Sequence, residues 1–424
     1  MNLIKELTWR GLVQEIMPGT EEQLQKEVTT GYIGFDPTSD SLHIGSLVPI
    51  LLLMHLQRAG HKPVALVGGA TGMVGDPSGK SDERNLLNEE QLQKNLEGIK
   101  KQLSRFLDFN GSGPTSAMIV NNYDWFRGMG FIEFLRDTGK YITVNYMMAK
   151  ESVKKRIEGE SGISYTEFAY QLMQGYDFYW LYNNHGCKLQ MGGSDQWGNI
   201  TTGTELIRRK AGGEAFGMTC PLIKKADGGK FGKTEKGNVW LDAEKTTPYQ
   251  FYQFWLNASD EDAEQWIKIF TFLTKDEIEN LNQLHKADPG TRTLQKALAR
   301  ELTIFVHSEK EYEKAVETTE KLFNNLSASA ESLSIEDLQG MEGIIKSNMQ
   351  ADAILQKDIV TILVDSKIFP SKGEARKMIQ QGGLSLNRSK IIDPAFKVDA
   401  GKLLHNRFLL VQKGKKNYYL IEAE

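Results

Sequence analysis

The sequence predicts an α/β protein: a parallel sheet flanked by helices, then a helical stretch and a small α+β tail. Three observations carry this. A strand–helix–strand succession runs through residues 32–67, helical periodicity takes over at about residue 247, and short strand-like runs return after residue 384.

In chain order, residues 1–30 read as short amphipathic helices. Tyr32-Ile33-Gly34-Phe35 is strand-like. Asp36-Pro37-Thr38-Ser39-Asp40 reads as a turn, because Pro fixes φ while Asp and Ser offer side-chain turn bonds. An apolar helix is expected from about Ser46 to Ala59, stopped by Gly60. A second strand over residues 63–67 leads into a glycine-rich stretch at 68–79. This is a βαβ order, which builds a parallel sheet with helices on its faces. The alternation continues to about residue 220, with 117–120 and 188–191 as candidate strands. Residues 221–246 read as a glycine-rich loop region. Residues 247–325 are rich in Glu, Lys, Leu and aromatics at helical spacing, so a helical domain is expected. Residues 326–350 read as a linker. The tail, 351–424, reads as two short helices, then Leu384-Ser385-Leu386-Asn387, then strands at 408–411 and 418–421.

Bulk composition bounds the function. The 424 residues exceed one ordinary core, and 40% hydrophobic with 25% charged residues is globular. The longest apolar run, 47–56, is about half of what a bilayer requires. Lys5, Glu6 and Arg10 stand where a signal peptide would be apolar. Cys187 and Cys220 make no disulfide framework and lack metal-site spacing. A reduced, cytoplasmic setting is expected. The net charge of −4 hides an asymmetry: 351–424 carries +5 and 1–350 carries −9. A basic tail on an acidic body suits nucleic acid, although a solvated surface also fits.

Four patterns suggest chemistry. Leu42-His43-Ile44-Gly45-Ser46 lies between a strand and a helix start, where free N–H groups and the helix dipole favour phosphate. Lys230-Phe231-Gly232-Lys233-Thr234 sits among Gly228, Gly229 and Gly237, so it could close over a polyphosphate. Tyr170, Gln174 and Asp177 fall at i, i+4 and i+7, a polar stripe among Phe168, Leu172, Met173 and Phe178. Buried polar rows need partners, and a ligand with an ammonium and a hydroxyl would serve. Gly192-Gly193-Ser194-Asp195-Gln196 follows a candidate strand, the position where α/β folds bind ligands. Taken singly, each pattern also fits a bland role: a structural His, a solvated basic loop, a wet polar face, a Gly-Gly turn.

Two further patterns mislead. Gly69-Ala70-Thr71-Gly72-Met73-Val74-Gly75 has the glycine spacing of some NAD(P)-binding dehydrogenases, and Tyr146-Met147-Met148-Ala149-Lys150 their Tyr-x-x-x-Lys. Asp76-Pro77 follows where the pyrophosphate helix should continue, which argues against that reading. Pro77-Ser78-Gly79-Lys80-Ser81 ends like a P-loop, but Val74 occupies the position of its first glycine.

Together, the early His-Ile-Gly, the Gly-Gly-Ser-Asp-Gln-Trp-Gly-Asn segment and the later Lys-x-x-Lys-Thr loop resemble a class I aminoacyl-tRNA synthetase. Gly31 to Thr38, Gly75 to Lys80 and Met191 to Thr201 look like the bacterial tyrosyl enzymes. The tail resembles the small RNA-binding domain that those enzymes share with a ribosomal small-subunit protein. Ser46 follows Gly45 where the class signature ends in His, and Lys-Phe-Gly-Lys-Thr is the tyrosyl variant of Lys-Met-Ser-Lys-Ser.

The resemblance implies a Rossmann-like catalytic domain over 1–220, a helical anticodon-side domain and the RNA-binding tail. It implies that Tyr32 and Asp177 bond the substrate phenol, and that Tyr170, Gln174 and Asp76 hold its ammonium. Gln196 would orient the amino acid. Gly34, Asp36, Gly193 and Asp195 would line the nucleoside, with Gly45 and Ser46 also on the ATP side. Thr38 and His43 would meet the phosphates. Lys230, Lys233 and Thr234 would clamp pyrophosphate, with Lys80 and Arg84 nearby. The implied substrates are ATP with Mg²⁺, L-tyrosine and tRNA(Tyr), with no protein-ligated metal; a homodimer is implied. The rival readings are the tryptophanyl relative and an RNA-binding scaffold retaining an inactive synthetase fold.

Overall fold

The computed structural model describes the chain except residues 1, 77, 79–88, 112, 160–161, 230, 235–236, 324–329, 342–343 and 415–416; the side chains of 89, 233, 234, 323, 336 and 340 are likewise not described. The chain divides into two compact units: residues 1–242 with 259–286, and residues 243–258 with 287–424.

The first unit is built on six strands: β1 (Glu15–Ile16), β2 (Thr30–Phe35), β3 (Lys62–Val67), β4 (Met118–Asn121), β5 (Cys187–Gly193) and β6 (Phe216–Cys220). Their order is β1-β6-β5-β2-β3-β4, parallel except for the β1 edge. The expected βαβ unit is β2, the helix Leu47–Arg58 and β3. That helix is apolar nearly all round because it is buried nearly all round, and Gly60 at φ +89° follows its end. A Cβ at Gly31 would meet Leu56 of this helix at 2.9 Å, while Tyr32 faces Phe178 of helix Tyr165–His185 at 5.3 Å between ring centroids. Adjacent β2 residues therefore meet helices on opposite faces, as a two-sided parallel sheet requires.

The chain runs outward from β2 through β3 to β4, then returns to the other side of β2 with β5. This reversal places a topological switch point between β2 and β5, where parallel α/β sheets open a crevice at their carboxyl ends. Asp36 follows β2 and Ser194 follows β5 at that crevice.

Residues 247–325 are helical, as expected, in Pro248–Leu256, Asp260–Phe270, Lys275–Ala287, Thr293–Val306 and Glu309–Phe323. These helices divide between the units. Buried Arg10 shows why residues 259–286 stay with the first: its guanidinium donates to the carbonyls of Lys268 (2.8 Å), Thr271 (2.7 Å) and Leu273 (2.8 Å).

A two-stranded hairpin, β7 (Lys233–Thr234) and β8 (Gly237–Asn238), precedes them. The second unit ends in a five-stranded sheet of β9 (Ile345–Met349), β10 (Leu384–Leu386), β11 (Ser389–Lys390), β12 (Phe408–Lys413) and β13 (Asn417–Ala423), ordered β11-β10-β12-β13-β9. It has its own core, including Ile354, Leu363, Ile379, Val411 and Ile421. The stretch expected as a linker, 326–350, departs from that reading. Ser334 caps the helix Ile335–Gly340, and β9 pairs in parallel with β13. Its polar Ser-Asn composition concealed a strand of which only Met349 is buried.

Candidate active site

The switch-point crevice is a cleft of about 420 Å³. Of the residues singled out from sequence, Tyr32, Gly34, Asp36, Gly45, Asp76, Tyr170, Gln174, Asp177, Gly193, Asp195 and Gln196 line it. Thr38, His43 and Ser46 do not; Thr38 is exposed on the turn after β2. Lys80, Arg84 and Lys230 lie outside the described residues, as do the side chains of Lys233 and Thr234.

At the inner end, Asp177 is 2% exposed and its two oxygens accept from different donors: Asn122 Nδ2 at 3.1 Å and Trp125 Nε1 at 2.9 Å. Burial pushes its carboxyl up to about 8, against the pull of those two donors. Burial, with Asp177 adding to it, holds the Tyr32 phenol well above its ordinary value. The Tyr32 hydroxyl is buried with no partner among the described residues, which fits a site awaiting a polar ligand atom. Gln190 Oε1, also lining the cleft, shares that condition.

Midway, helix Tyr165–His185 delivers Tyr170, Gln174 and Asp177 to one wall. Asn199 Nδ2 lies 2.9 Å from Gln174 Oε1 and 3.2 Å from Gln196 Oε1, and Gln196 Nε2 donates to Asp76 Oδ2 at 2.7 Å. Asp76 also accepts the Ser78 amide at 2.9 Å. At the outer end, Asp36 accepts from the Tyr170 hydroxyl at 3.1 Å and from Thr71 Oγ1 at 3.1 Å. Tyr170 thus bonds the carboxylate expected on the nucleoside side, which ties the two expected subsites together. Burial, then Asp36, raises its phenol well above the ordinary value.

Near the mouth, His43 Nδ1 accepts the Gly45 amide at 3.0 Å. In the neutral ring the proton then resides on Nε2, the nitrogen suited to donate to a phosphate oxygen. Ser46 ends the short turn Ile44–Ser46 at the N-terminus of helix Leu47–Arg58.

Sequence reasoning missed Thr71, Asn122, Trp125 and Asn199. Asn122 sits just past the carboxyl end of β4, so the strand-end rule that found Asp195 could also have found it. The dehydrogenase-like pair is structural: Tyr146 OH donates to the Thr201 carbonyl at 3.1 Å and Lys150 Nζ to Thr201 Oγ1 at 2.7 Å. Among the described residues, a short turn, Thr71–Met73, follows β3 where a pyrophosphate helix would begin.

A family model described as tRNA synthetases class I (W and Y) matches residues 24–324. The chain belongs to this family. Within these synthetases, a second model, the tyrosine–tRNA ligase SYY-like C-terminal domain, matches residues 334–421, beginning inside the stretch expected as linker. A tyrosine–tRNA ligase of Flavobacterium johnsoniae is 59% identical, covering 100% of this chain and 99% of its own. One from Parabacteroides distasonis is 57% identical, with 100% of both chains covered. A C-terminally truncated mitochondrial tyrosyl-tRNA synthetase of Aspergillus nidulans superposes with TM-score 0.68 at 28% identity, covering 76% of this chain and 94% of that one. A Plasmodium falciparum tryptophanyl-tRNA synthetase shares the fold at TM-score 0.54 and 16% identity, over 73% of this chain and 84% of that one. The fold alone therefore does not separate the two amino acids; the tail and the full-length relatives place this synthetase on the tyrosine branch.

The synthetase's cleft is acidic. Asp36, Asp76, Asp177 and Asp195 line it, and no Lys or Arg is among the described lining residues. Such a wall attracts an ammonium group and repels bare polyphosphate, so the countercharge for a polyphosphate is not supplied by the described lining residues. Among the described residues no group of His, Cys, Asp and Glu could hold a metal ion, and no helix is long and apolar enough to cross a membrane.

Proposed function

We propose that this cleft binds L-tyrosine and Mg²⁺-ATP, forms tyrosyl-adenylate with release of pyrophosphate, and passes tyrosine to the 3′ end of tRNA(Tyr). The observation that carries the reading is the polar end of the cleft: Asp177, anchored by Asn122 and Trp125, and the buried Tyr32 hydroxyl, which has no partner among the described residues. An aromatic side chain with a terminal hydroxyl can partner the Tyr32 hydroxyl and donate to the anchored Asp177 carboxyl; phenylalanine does neither and leaves the Tyr32 hydroxyl without a partner among the described residues.

The substrate carboxylate attacks the α-phosphorus of ATP, and the bond to the β-phosphate oxygen breaks as pyrophosphate departs. No protein base is required, since that carboxylate is ionised at neutral pH. Asp76, Gln174 and Tyr170 receive the ammonium, and Gln196, fixed on Asp76, orients the carboxylate. Asp36, Asp195 and the backbones of Gly34 and Gly193 take the nucleoside. His43 donates to a phosphate, and Thr38 also contacts the phosphates. Lys230, Lys233 and Thr234 stabilise the charge that builds on pyrophosphate, with Lys80 and Arg84 contributing positive charge. The 3′ ribose hydroxyl of tRNA then attacks the adenylate carbonyl and releases AMP. The helices of 247–325 take the anticodon side, and the basic tail adds salt-sensitive RNA affinity.

Apolar Phe131, Ile132, Val144, Met148 and Tyr165 are exposed on helices Phe131–Asp137, Val144–Met148 and Tyr165–His185, between β4 and β5. Isolated exposed apolar residues are ordinary, but a run of them suits a subunit interface, which supports a homodimer. Sedimentation at micromolar concentration tests it. The reaction is tested by tyrosine-dependent exchange of labelled pyrophosphate into ATP across all twenty amino acids; a purified, folded protein without tyrosine-dependent exchange refutes the reading.

A further inference from the structure

The loop expected to grip pyrophosphate is built around Phe231, which lies in sequence between Lys230 and Lys233. Its ring does not point into solvent. It stacks on Phe270 with centroids 5.1 Å apart and planes at 16°, and meets Trp266 edge-on at 5.0 Å and 73°. Both partners are buried, each 1% exposed, on helix Asp260–Phe270. A second tether reaches the same helix: the Ala226 amide donates to Asp262 Oδ1 at 2.8 Å. Asp262, Trp266 and Phe270 are spaced i, i+4, i+8, so one face of one helix carries both tethers.

The opposite side of the loop rests on the segment bearing His43. Gly232, at φ +80°, brings its backbone onto Ile44, where a Cβ would come within 3.1 Å of Ile44 Cγ1. The Gly232 carbonyl accepts the Val239 amide at 3.0 Å, and the Val239 carbonyl accepts the Ile44 amide at 2.9 Å. Phe231 also lines the cleft. Phe231 and Gly232 thus sit between helix Asp260–Phe270 and Ile44, which follows His43, a residue assigned to the phosphates.

We propose that Trp266, Phe270 and Asp262 are positioning residues for adenylate formation: they form a seat that, through Phe231, sets where the loop's lysines stand over the departing pyrophosphate. The inference rests on the function proposed above. It assigns a rate role to a helix face that touches no substrate. A group acting only on charge that develops as pyrophosphate leaves alters the rate of the step, not the affinity for tyrosine. Misplacement of such charges by about an ångström is enough to slow a reaction about 100-fold. An aromatic seat suits this task, because stacked rings fix orientation as well as distance.

The test uses the full-length chain with Phe270→Leu, Trp266→Leu and Phe231→Leu, singly and paired, in pre-steady-state adenylate formation. Phe231→Leu leaves the helix untouched, so it reports even if a helix variant folds poorly. The expected result is a rate about 10- to 100-fold lower, with tyrosine affinity within about twofold of wild type. Phe231→Leu and Phe270→Leu together should lose little more than either alone. Phe231→Met, which refills the seat with a long apolar chain, should recover most of the rate. Folded single variants with unchanged rates, tyrosine affinity falling as much as rate, or fully additive losses in the pair would each overturn the proposal. Wild-type protein without tyrosine-dependent exchange would instead remove the underlying function, a result visible before any variant is made.

Discussion

The Asn122 side-chain amide lies 3.1 Å from Asp177 Oδ2 and 3.0 Å from Thr71 Oγ1. Thr71 in turn donates to Asp36. One amide therefore joins the end of the cleft proposed to take the phenol to the end proposed to take the nucleoside. Asn122→Ala removes a donor that favours the ionised form of Asp177. The carboxyl, already up at about 8 through burial, then rises further. If the ionised form accepts the substrate hydroxyl, tyrosine affinity improves as pH rises through that value, and in the variant this limb moves to higher pH. Tyrosine KM measured from pH 6.5 to 9 checks the shift.

Asp177→Asn replaces one of the two groups proposed to read the hydroxyl. Tyrosine KM is expected to rise about 10- to 100-fold, the scale of losing a hydrogen bond to a charged group. Activation of phenylalanine should change far less. Pyrophosphate exchange with both amino acids gives the ratio, and an unchanged ratio removes Asp177 from that role.

Lys233→Ala separates binding from chemistry. Adenylate formation should slow by about 100-fold or more, because the lost charge is proposed to act on the departing pyrophosphate. Equilibrium binding of tyrosine should be nearly unchanged. Loss of tyrosine affinity with an intact forward rate would contradict the assignment.

Truncation should follow the folded boundary, not residue 351, because β9 belongs to the terminal sheet. A chain ending at residue 323 is expected to retain tyrosine-dependent exchange and to charge tRNA poorly. In the full chain, tRNA affinity should fall steeply with added salt. Equal charging by both chains would show that the tail makes no productive RNA contact.

His55 provides a stability test. It is 2% exposed, with neither ring nitrogen partnered among the described residues, and lies 4.9 Å from the Phe272 ring. Burial, then Arg10 and Arg58, lowers its pKa from 6.5 to about 3. The unfolded chain takes up this proton below about pH 6.5, while the folded chain resists it until about 3. The stability associated with neutral His55 is therefore full above pH 6.5 and drains as pH falls towards 3. His55→Leu should flatten the decline of Tm between pH 6.5 and 4; a parallel decline would show that His55 does not drive it.

Much of this was legible in the residues. Alternating apolar runs with glycine stops marked β2, helix Leu47–Arg58 and β3, since local periodicity suffices there. The i, i+4, i+7 stripe put Tyr170, Gln174 and Asp177 on one wall because helix geometry fixes their bearing. Asn122, Thr71 and Asn199 were not visible as partners. They come from separate elements, and only the sheet order brings them together. Phe231 read as part of a basic loop; its stacking on Phe270 depends on a contact 39 positions away in sequence. β9 escaped notice because a strand with little burial lacks an apolar alternation.

The pairing of β9 with β13 also governs how the chain's last residues behave. The Glu424 amide donates to the Met349 carbonyl, and the Ala351 amide to the Glu424 carbonyl, each at 2.9 Å. Residue 424 is thereby laced into the point where the chain enters its final sheet. Glu424→Pro, which removes that amide, would therefore loosen the end of β9 together with β13.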